Sequence, residues 1–300
     1  MIMLDKAALR GSITPLITPF RNGEVDYDTY ASLVERHITR GGHGVLVNGT
    51  SAEPSTLTVE ERNRLLQTAI EVAKGRTQIV AATGSQSFFE TVALTDFAAK
   101  SGVDALLIVT PYYIRPPQRG LVEYYAALGA RSDVPLMIYH IPVRAAVNIE
   151  LPALVTIAER VPHLVGMKHA STDLAFVSDC LARLPDFRIF VGLEELSFPM
   201  LALGACGLMN AVGNLVPGPV ARLYEMVASG DLDAGRRAHY ELLELNRAVF
   251  WDTNPIPIKY MAKRLGIIPR NEHRLPMLPA TPELERRLGA LLRSSGLLRD

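Results

Sequence analysis

Eight short, largely apolar segments recur between residues 13 and 211, and each is followed by a stretch with a helical pattern. They are continuously apolar rather than alternating between apolar and polar residues, which is typical of parallel strands covered on both faces. The segments are 13–18, 45–48, 78–82, 105–110, 136–140, 164–168, 188–191 and 207–211. Eight strand–helix units in series predict an α/β protein built as a closed (β/α)₈ TIM barrel.

Capping residues support helices between these segments. Thr58 with Glu61 and Ser87 with Glu90 both match a capping box, in which each side chain bonds the backbone amide of the other residue. The competing architecture is a doubly wound open sheet, which usually carries a Gly-rich nucleotide-binding turn after its first strand. Residues 19–23, which follow the first segment here, do not form such a turn.

Beyond about residue 217 the pattern is helical to the C-terminus and is interrupted by prolines. Helices are predicted over 220–227, 234–250, 257–265 and 282–292. This tail contains too few strands to form a separate sheet domain. We therefore predict a catalytic barrel over residues 1–230 and a helical appendage packed on the barrel over residues 231–300.

Composition and charge argue against several classes of partner. The chain has 31 basic and 31 acidic side chains and no dense basic run, so neither nucleic acid nor a membrane surface is expected as a partner. Two cysteines cannot build a four-cysteine zinc site or a disulfide framework, and the scattered histidines predict no metal site. Residues 1–10 lack the apolar core of a signal peptide, and no segment is long enough to span a membrane. A cytoplasmic protein is therefore expected.

The placement of the lysines is more informative than the balance of charge. Lysine occurs only at positions 6, 74, 100, 168, 259 and 263. Five of these positions lie in polar or helical stretches, where we expect the amine to be solvated. Lys168 instead ends an apolar segment that is predicted to be a buried strand, and a lysine is seldom buried without a partner or a purpose.

In barrels of this type the chemistry lies at the carboxyl ends of the strands. A neutral lysine amine can attack a ketone and form a Schiff base, and burial of Lys168 would favour the neutral form. Tyr139, one strand away, could act as a general acid and base. The planar guanidinium of Arg144 suits a substrate carboxylate, and the backbone amides at Thr50 and Ser51 could hold a second one.

Five motifs, taken together, resemble the dihydrodipicolinate synthase / N-acetylneuraminate lyase family of class I pyruvate-dependent aldolases. They are Gly49-Thr50-Ser51-Ala52-Glu53, Pro111-Tyr112-Tyr113, Tyr139 with Pro142, Gly166-Met167-Lys168 and Asn254-Pro255-Ile256-Pro257-Ile258-Lys259. The motifs keep the family's order and spacing from about residue 12 to residue 265, so the resemblance covers nearly the whole chain. Each motif is weak by itself, and the resemblance depends on their combination.

The resemblance implies a homotetramer, a dimer of dimers, in which Lys168 forms an imine with pyruvate. Tyr139 would shuttle protons and would be linked through Thr50 to Tyr113, which would reach into the site of the neighbouring subunit. Ser51 and its neighbours would bind the carboxylate of pyruvate. The expected partners are small-molecule substrates, and no cofactor is implied besides the covalent imine.

Gly192 and Met209 are expected to line the same substrate site. Arg144 lies where the synthase branch of the family keeps an arginine for the carboxylate of its aldehyde substrate. This favours a lyase that condenses pyruvate with L-aspartate semialdehyde over the sialic acid lyase branch.

The chain departs from the family pattern on the side of the second substrate. Ala52 replaces a usual glycine, His140 an asparagine and Val143 a glycine, and residues 192–195 read Gly-Leu-Glu-Glu where synthases commonly show Gly-Asp-Asp. A class I aldolase that cleaves another 2-keto acid, such as a sugar acid or an aromatic catabolite, therefore stays an alternative. A non-catalytic binding or regulatory member is a third hypothesis, against which the retained amine, phenols and hydroxyls argue.

The residues that follow the Glu53 turn predict weak or no inhibition by lysine. Many bacterial synthases of the family have a lysine-feedback site there, in which histidines and an asparagine are frequent. Val59, Arg62 and Gln86 stand at the corresponding positions of this chain. Initial rates measured over a lysine titration test this prediction, and half-inhibition at a sub-millimolar concentration would contradict it.

Overall fold

The computed structural model of the 300-residue chain describes residues 8–298. Eight parallel strands form a closed barrel, in which each strand pairs with the next along the chain and the last pairs with the first. The strands are β1 (Gly11–Pro15), β2 (Gly44–Val47), β3 (Gln78–Ala82), β4 (Ala105–Val109), β5 (Leu136–His140), β6 (Leu164–His169), β7 (Arg188–Val191) and β8 (Gly207–Leu208). The predicted (β/α)₈ barrel is confirmed.

A helix follows every strand, and three further helices follow the eighth unit. The helices are α1 (Tyr27–Thr39), α2 (Val59–Ala73), α3 (Phe88–Lys100), α4 (Gln118–Gly129), α5 (Leu151–Arg160), α6 (Leu174–Arg183), α7 (Ser197–Ala202), α8 (Pro217–Ala228), α9 (Leu232–Ala248), α10 (Ile256–Arg264) and α11 (Pro282–Ser294). A hairpin of Phe20–Arg21 and Glu24–Val25 follows β1, and a one-turn helix, Pro142–Ala145, follows β5. Eight of these strand–helix units form the barrel, and the helical tail is present as predicted.

Side chains from all the strands divide between the barrel interior and the layer under the helices. Leu46 points into the interior cluster, whereas its neighbours Val45 and Val47 pack in a second cluster with α1 and α2. The interior cluster includes Ile13, Leu46, Val80, Leu107, Met137, Tyr139, Val165, Phe190 and Met209. Because successive residues of a strand point to opposite faces, both faces need apolar residues, which explains the continuous apolar segments of the sequence.

One of the two predicted capping boxes is complete. The Thr58 hydroxyl accepts a hydrogen bond from the Glu61 amide at 3.2 Å, and the Glu61 carboxylate accepts one from the Thr58 amide at 2.9 Å. The prediction for Ser87 and Glu90 is wrong in its second half. The Ser87 hydroxyl caps the Glu90 amide, but the Glu90 carboxylate instead accepts a hydrogen bond from the Ser85 hydroxyl at 2.5 Å.

The prediction that five lysines are solvated holds for three of them. Lys74, Lys100 and Lys263 are exposed. Lys259 is completely buried, so its prediction was wrong, and the partner that compensates its charge is described below. Lys6 lies outside the described residues, as does most of the N-terminal segment for which no signal peptide is predicted.

The C-terminal helices pack on the barrel rather than standing apart from it. Helix α9 lies against α8 and α7, and α10 contacts the 3₁₀ turn Ala211–Asn214 that follows β8. A division of the chain at residue 230 stays a prediction. Within residues 8–298, no helix combines the length and the apolar character that crossing a membrane requires.

Candidate active site

The register of strands β5 and β6 places Lys168 directly opposite Tyr139. Both residues are buried, and only 3% of Lys168 is exposed although it lies close to the end of its strand. The Lys168 Nζ atom lies 4.5 Å from the centroid of the Tyr139 ring. The amine therefore lies away from bulk water and in contact with the phenol, as the apolar segment around Lys168 predicted.

A tight turn after β2 carries the hydroxyl groups of the site. The turn is a 3₁₀ helix, Thr50–Ala52, and it is flanked by Asn48 and Glu53, which both have left-handed backbone conformations with φ of 60° and 57°. Its Thr50 Oγ1 atom lies 3.2 Å from the Tyr139 hydroxyl oxygen, so these two groups share a hydrogen bond. The predicted connection between Thr50 and Tyr139 is thus present within one chain.

The helical tail holds the other hydroxyl of this turn. Asn254, which precedes α10, donates a hydrogen bond from Nδ2 to Ser51 Oγ at 3.0 Å. Both residues are buried. This contact joins residues that are distant in sequence, and it orients the hydroxyl that was predicted to bind a carboxylate.

One cavity of about 310 Å³ collects most of the predicted site residues. Its lining includes Thr50, Ser51, Tyr139, Arg144, Lys168, Gly192 and Met209. Gly192 is needed because a Cβ atom there would lie 2.8 Å from the Ala170 Cβ and 3.1 Å from the Lys168 Cε. The side chain of the catalytic lysine candidate therefore passes directly over a glycine.

Arg144 lies at the mouth of this cavity, on the one-turn helix after β5. It is exposed, and its guanidinium forms no ion pair or hydrogen bond with any other residue of the range 8–298. A free guanidinium at the entrance of a cavity can bind a carboxylate in a bidentate manner.

Tyr113 is the one predicted site residue that a single chain does not bring to this cavity. Its side chain is 82% exposed, and its backbone has a φ of 74°. The preceding residue, Tyr112, lines an adjoining cavity. The predicted role of Tyr113 in the site of a neighbouring subunit stays a prediction.

His140 and His169 lie one residue beyond Tyr139 and Lys168 on the same strands, so they point to the other face of the sheet. Their Nδ1 atoms are 3.1 Å apart, and His140 Nε2 lies 2.7 Å from Asn148 Oδ1. Burial lowers the pKa of His140 to about 4, and burial also lowers the pKa of His169. This neutral pair joins the ends of β5 and β6.

Comparison with known proteins decides the family. The model of the Dihydrodipicolinate synthetase family matches residues 8–295. The chain belongs to this family. It is 43% identical over 291 residues to the 4-hydroxy-tetrahydrodipicolinate synthase of Thermus thermophilus, and the match covers 96% of this chain and 97% of that protein. The predicted family is therefore confirmed.

Solved structures of the family superpose closely on this one. The crystal structure of dihydrodipicolinate synthase from Aquifex aeolicus has a TM-score of 0.95 at 37% identity and covers 97% of this chain and 100% of its own. A chloride-inhibited dihydrodipicolinate synthase from Acinetobacter baumannii, solved in complex with pyruvate, has a TM-score of 0.94 at 31% identity, with 97% and 100% coverage. The likeness thus extends over the whole barrel and its helical tail.

Within this family architecture, a buried ionic cluster supports the turn that carries Thr50 and Ser51. Glu53 Oε1 accepts a hydrogen bond from Lys259 Nζ at 2.7 Å, and Glu53 Oε2 lies 3.3 Å from His273 Nδ1. All three side chains are inaccessible to solvent, and the Lys259 amine also lies 4.4 Å from the centroid of the Phe20 ring. Burial lowers the pKa of Lys259, whereas the Glu53 carboxylate favours its charged form.

Sequence reasoning missed Lys259, His273 and Asn254 as parts of the site. The motif around residues 254–259 was noticed, but no strand end or helix period indicates that it would reach the turn after β2. Glu53, in contrast, belongs to a motif that the sequence analysis singled out, and its contacts with Lys259 and His273 hold the turn that it ends. Within the described part of the chain, no group of three or more potential metal ligands is present.

A second cavity of about 520 Å³ adjoins the first and shares Thr50, Tyr139 and Arg144 with it. Arg62 and Gln86 line this cavity, as does Tyr112. Arg62 is buried, and it donates hydrogen bonds to the carbonyl oxygens of Ala82 and Gly84. This is the region from which the sequence predicts weak or no inhibition by lysine, and that stays a prediction.

Replacing Lys259 by methionine should strongly destabilise the protein. The Lys259→Met variant leaves the Glu53 carboxylate buried without its cationic partner, and breaking such a pair on one side costs about 3–5 kcal/mol. The free energy of unfolding from urea denaturation measures the loss. Lys263→Met, an exposed lysine on the same helix, is the matched control. Adding Glu53→Gln to Lys259→Met should recover stability, and equal midpoints for the two single lysine variants would contradict the expectation.

Proposed function

We propose that this protein is a 4-hydroxy-tetrahydrodipicolinate synthase, a lyase that condenses pyruvate with L-aspartate semialdehyde through a Schiff base on Lys168. The observation that carries the proposal is the contact of the buried Lys168 amine with the ring of Tyr139. The hydroxyl of Tyr139 is in turn hydrogen-bonded to the hydroxyl of Thr50. This arrangement occurs in a chain that is 43% identical to a synthase of that name.

The first half of the reaction needs a neutral amine and a group that moves protons. Attack of the Lys168 nitrogen on the ketone of pyruvate forms a carbinolamine, and loss of water from it leaves the imine. The Lys168 Nζ atom lies 4.5 Å from the centroid of the Tyr139 ring, and the proposal assigns to the hydroxyl of this ring the protonation of the leaving water and the later transfer of the methyl proton. The Thr50 hydroxyl, 3.2 Å from the Tyr139 oxygen, orients the phenol for this work.

Two groups account for the carboxylates of the two substrates. The hydroxyl of Ser51, held by Asn254, lies at the lining of the Lys168 cavity and would bind the carboxylate of pyruvate. The guanidinium of Arg144 would bind the carboxylate of the aldehyde at the mouth of the same cavity. Gly192 and Met209 would line the space in which the two substrates meet.

Three further features are part of the proposal. The protein would form a homotetramer, in which Tyr113 completes the proton relay of a neighbouring subunit; its 82% exposure in the single chain is compatible with that role. No cofactor or metal would be needed, because the imine itself is the electron sink. A cytoplasmic location stays a prediction.

Reduction of the enzyme with borohydride in the presence of pyruvate tests the nucleophile. We expect a stable adduct that peptide mass spectrometry locates on Lys168, because borohydride reduces the imine to a secondary amine. Lys168→Ala should form no adduct, whereas Lys263→Ala, which removes an exposed lysine, should react like the wild type. Absence of an adduct in the wild-type protein would overturn the proposed function.

Replacement of Arg144 tests the identity of the second substrate. Arg144→Ala should raise the KM for L-aspartate semialdehyde about ten- to a hundredfold, the equivalent of a lost charge-assisted hydrogen bond, and should leave the KM for pyruvate nearly unchanged. Steady-state kinetics with a panel of aldehydes give both values. Arg40→Ala, an exposed arginine after α1 at the opposite end of the barrel, is the control. An unchanged KM for the semialdehyde, or faster turnover of an uncharged aldehyde, would favour the alternative 2-keto acid aldolase.

A further inference from the structure

A carboxyl group that the mechanism above does not use lies close to the catalytic lysine. Glu194 begins the short 3₁₀ turn after β7, two residues beyond Gly192, and only 2% of it is exposed. The sequence showed it only as a departure from a family pattern. Among the described residues that line the Lys168 cavity, Glu194 carries the only carboxyl group.

The position of Glu194 is held from several sides. Its carbonyl oxygen accepts hydrogen bonds from the Ser197 hydroxyl at 2.7 Å and from Asn246 Nδ2 at 3.3 Å. Its Oε1 atom accepts a hydrogen bond from the Ala211 amide at 2.6 Å. Its Oε2 atom is buried and has no hydrogen-bond partner within residues 8–298. One oxygen of the carboxyl group is therefore anchored, and the other is unused.

Lys168 lines the same cavity, and its amine is the charged group whose attraction acts on this carboxyl. Burial raises the pKa of Glu194 to about 7, while the backbone amides of Ala211, Glu194 and Val212 and the attraction of Lys168 act in the opposite direction. The groups that contact Glu194 from α7, from the turn after β8 and from α9 are the neutral hydroxyl, amide and carboxamide named above. The adjacent Glu195 points away, to an ion pair with Arg247 at the surface.

We propose that Glu194 is a positioning residue that supplies the buried negative charge opposite the iminium formed at Lys168. This inference rests on the proposed function, because it needs the imine. An iminium is a fixed cation, and a cation in a buried site is costly unless an opposite charge compensates it. Glu53, another buried carboxylate at this end of the barrel, is already paired with Lys259.

The charge balance of the first half-reaction fits this role. A neutral amine, a neutral carboxyl group and the ketone give an iminium, a carboxylate and one molecule of water. The carbon–nitrogen bond forms and the carbon–oxygen bond of the carbinolamine breaks. The proton that the carboxyl group releases balances the one that the departing hydroxyl takes up to become water. The net charge of the site is thus the same before and after imine formation, without any proton exchanged with solvent.

The pH dependence of imine trapping tests the role of Glu194. Wild-type protein, Glu194→Gln, Glu194→Asp and Glu195→Gln are reduced with borohydride and pyruvate between pH 5.5 and 9, and the modified fraction at early times is measured by mass spectrometry. Glutamine keeps an acceptor for the Ala211 amide and removes the charge. Without that charge the iminium loses its proton more readily. The alkaline edge of trapping, which is the pH at which the modified fraction falls to half its maximum, should therefore move about one pH unit toward acid. Near pH 8 this corresponds to about tenfold less adduct.

The controls separate charge from structure. Glu195→Gln should trap like the wild type, and Glu194→Asp, which keeps a carboxylate, should move the edge back toward the wild-type position. A role that is only structural would lower the adduct at every pH without moving the edge. If the alkaline edge of trapping lies at the same pH in Glu194→Gln and in Glu195→Gln, the inference is overturned while the imine chemistry stays intact. No trapping in the wild type at any pH would instead overturn the proposed function.

A measurement on the unmodified protein covers the case in which Glu194→Gln does not fold. Infrared difference spectra at pH 6, with and without isotopically labelled pyruvate, should show that the stretch of a protonated carboxylic acid disappears when the imine forms. An unchanged carboxylic acid band, with imine formation demonstrated by trapping in the same sample, would contradict the proposal.

Discussion

Burial of one lysine amine against a phenol is the interaction on which the site depends. Strands β5 and β6 are paired so that Tyr139 and Lys168 are opposite each other, and apolar side chains surround both from within the barrel. The pairing register of the strands therefore determines whether the site can form. If β5 and β6 were each shifted by one residue, Tyr139 and Lys168 would point toward the helices instead of the barrel interior.

The loops around this pair are held by contacts from the far end of the chain. The turn with Thr50 and Ser51 bears two residues with left-handed backbone conformations, which are costly unless their surroundings fix them. Asn254 fixes it through the Ser51 hydroxyl, and Lys259 fixes it through the carboxylate of Glu53. The helical tail is therefore part of the active-site structure, whether or not it is counted as a separate unit of the fold.

The site combines charges that differ in how they are compensated. The Glu53 carboxylate is fully paired with Lys259 and serves the fold. The Glu194 carboxyl is anchored through one oxygen only, and its environment allows it to change its charge close to neutral pH. Arg144 is exposed and unpaired among the described residues, which leaves it available for an incoming anion. Charged groups that serve the fold and charged groups proposed to serve the reaction thus lie at the same end of the barrel. They differ in whether another residue of the described chain already compensates their charge.

Much of the site could be predicted from local signals. Lys168 at the end of an apolar segment, Tyr139 at the end of the preceding one, and the turn with Thr50 and Ser51 all follow strands, and parallel strands of a barrel end at one rim. Five of the seven predicted residues of the cavity lining, Thr50, Ser51, Tyr139, Arg144 and Lys168, carry functional groups that local sequence already places at a strand end. The prediction failed where a partner comes from a distant segment, as for Lys259, because nothing in its own helical stretch indicates that Glu53 is its partner.

The sequence by itself determined the barrel, its helical tail and Lys168 as the candidate nucleophile, because apolar periodicity and the position of a residue within its segment are local properties. Only the tertiary structure decided which carboxylates are paired, which guanidinium is free and that Glu194 lines the same cavity as Lys168. Ion pairing and desolvation depend on distances between atoms from different elements, and the order of residues along a chain does not contain those distances until the chain has closed into a barrel.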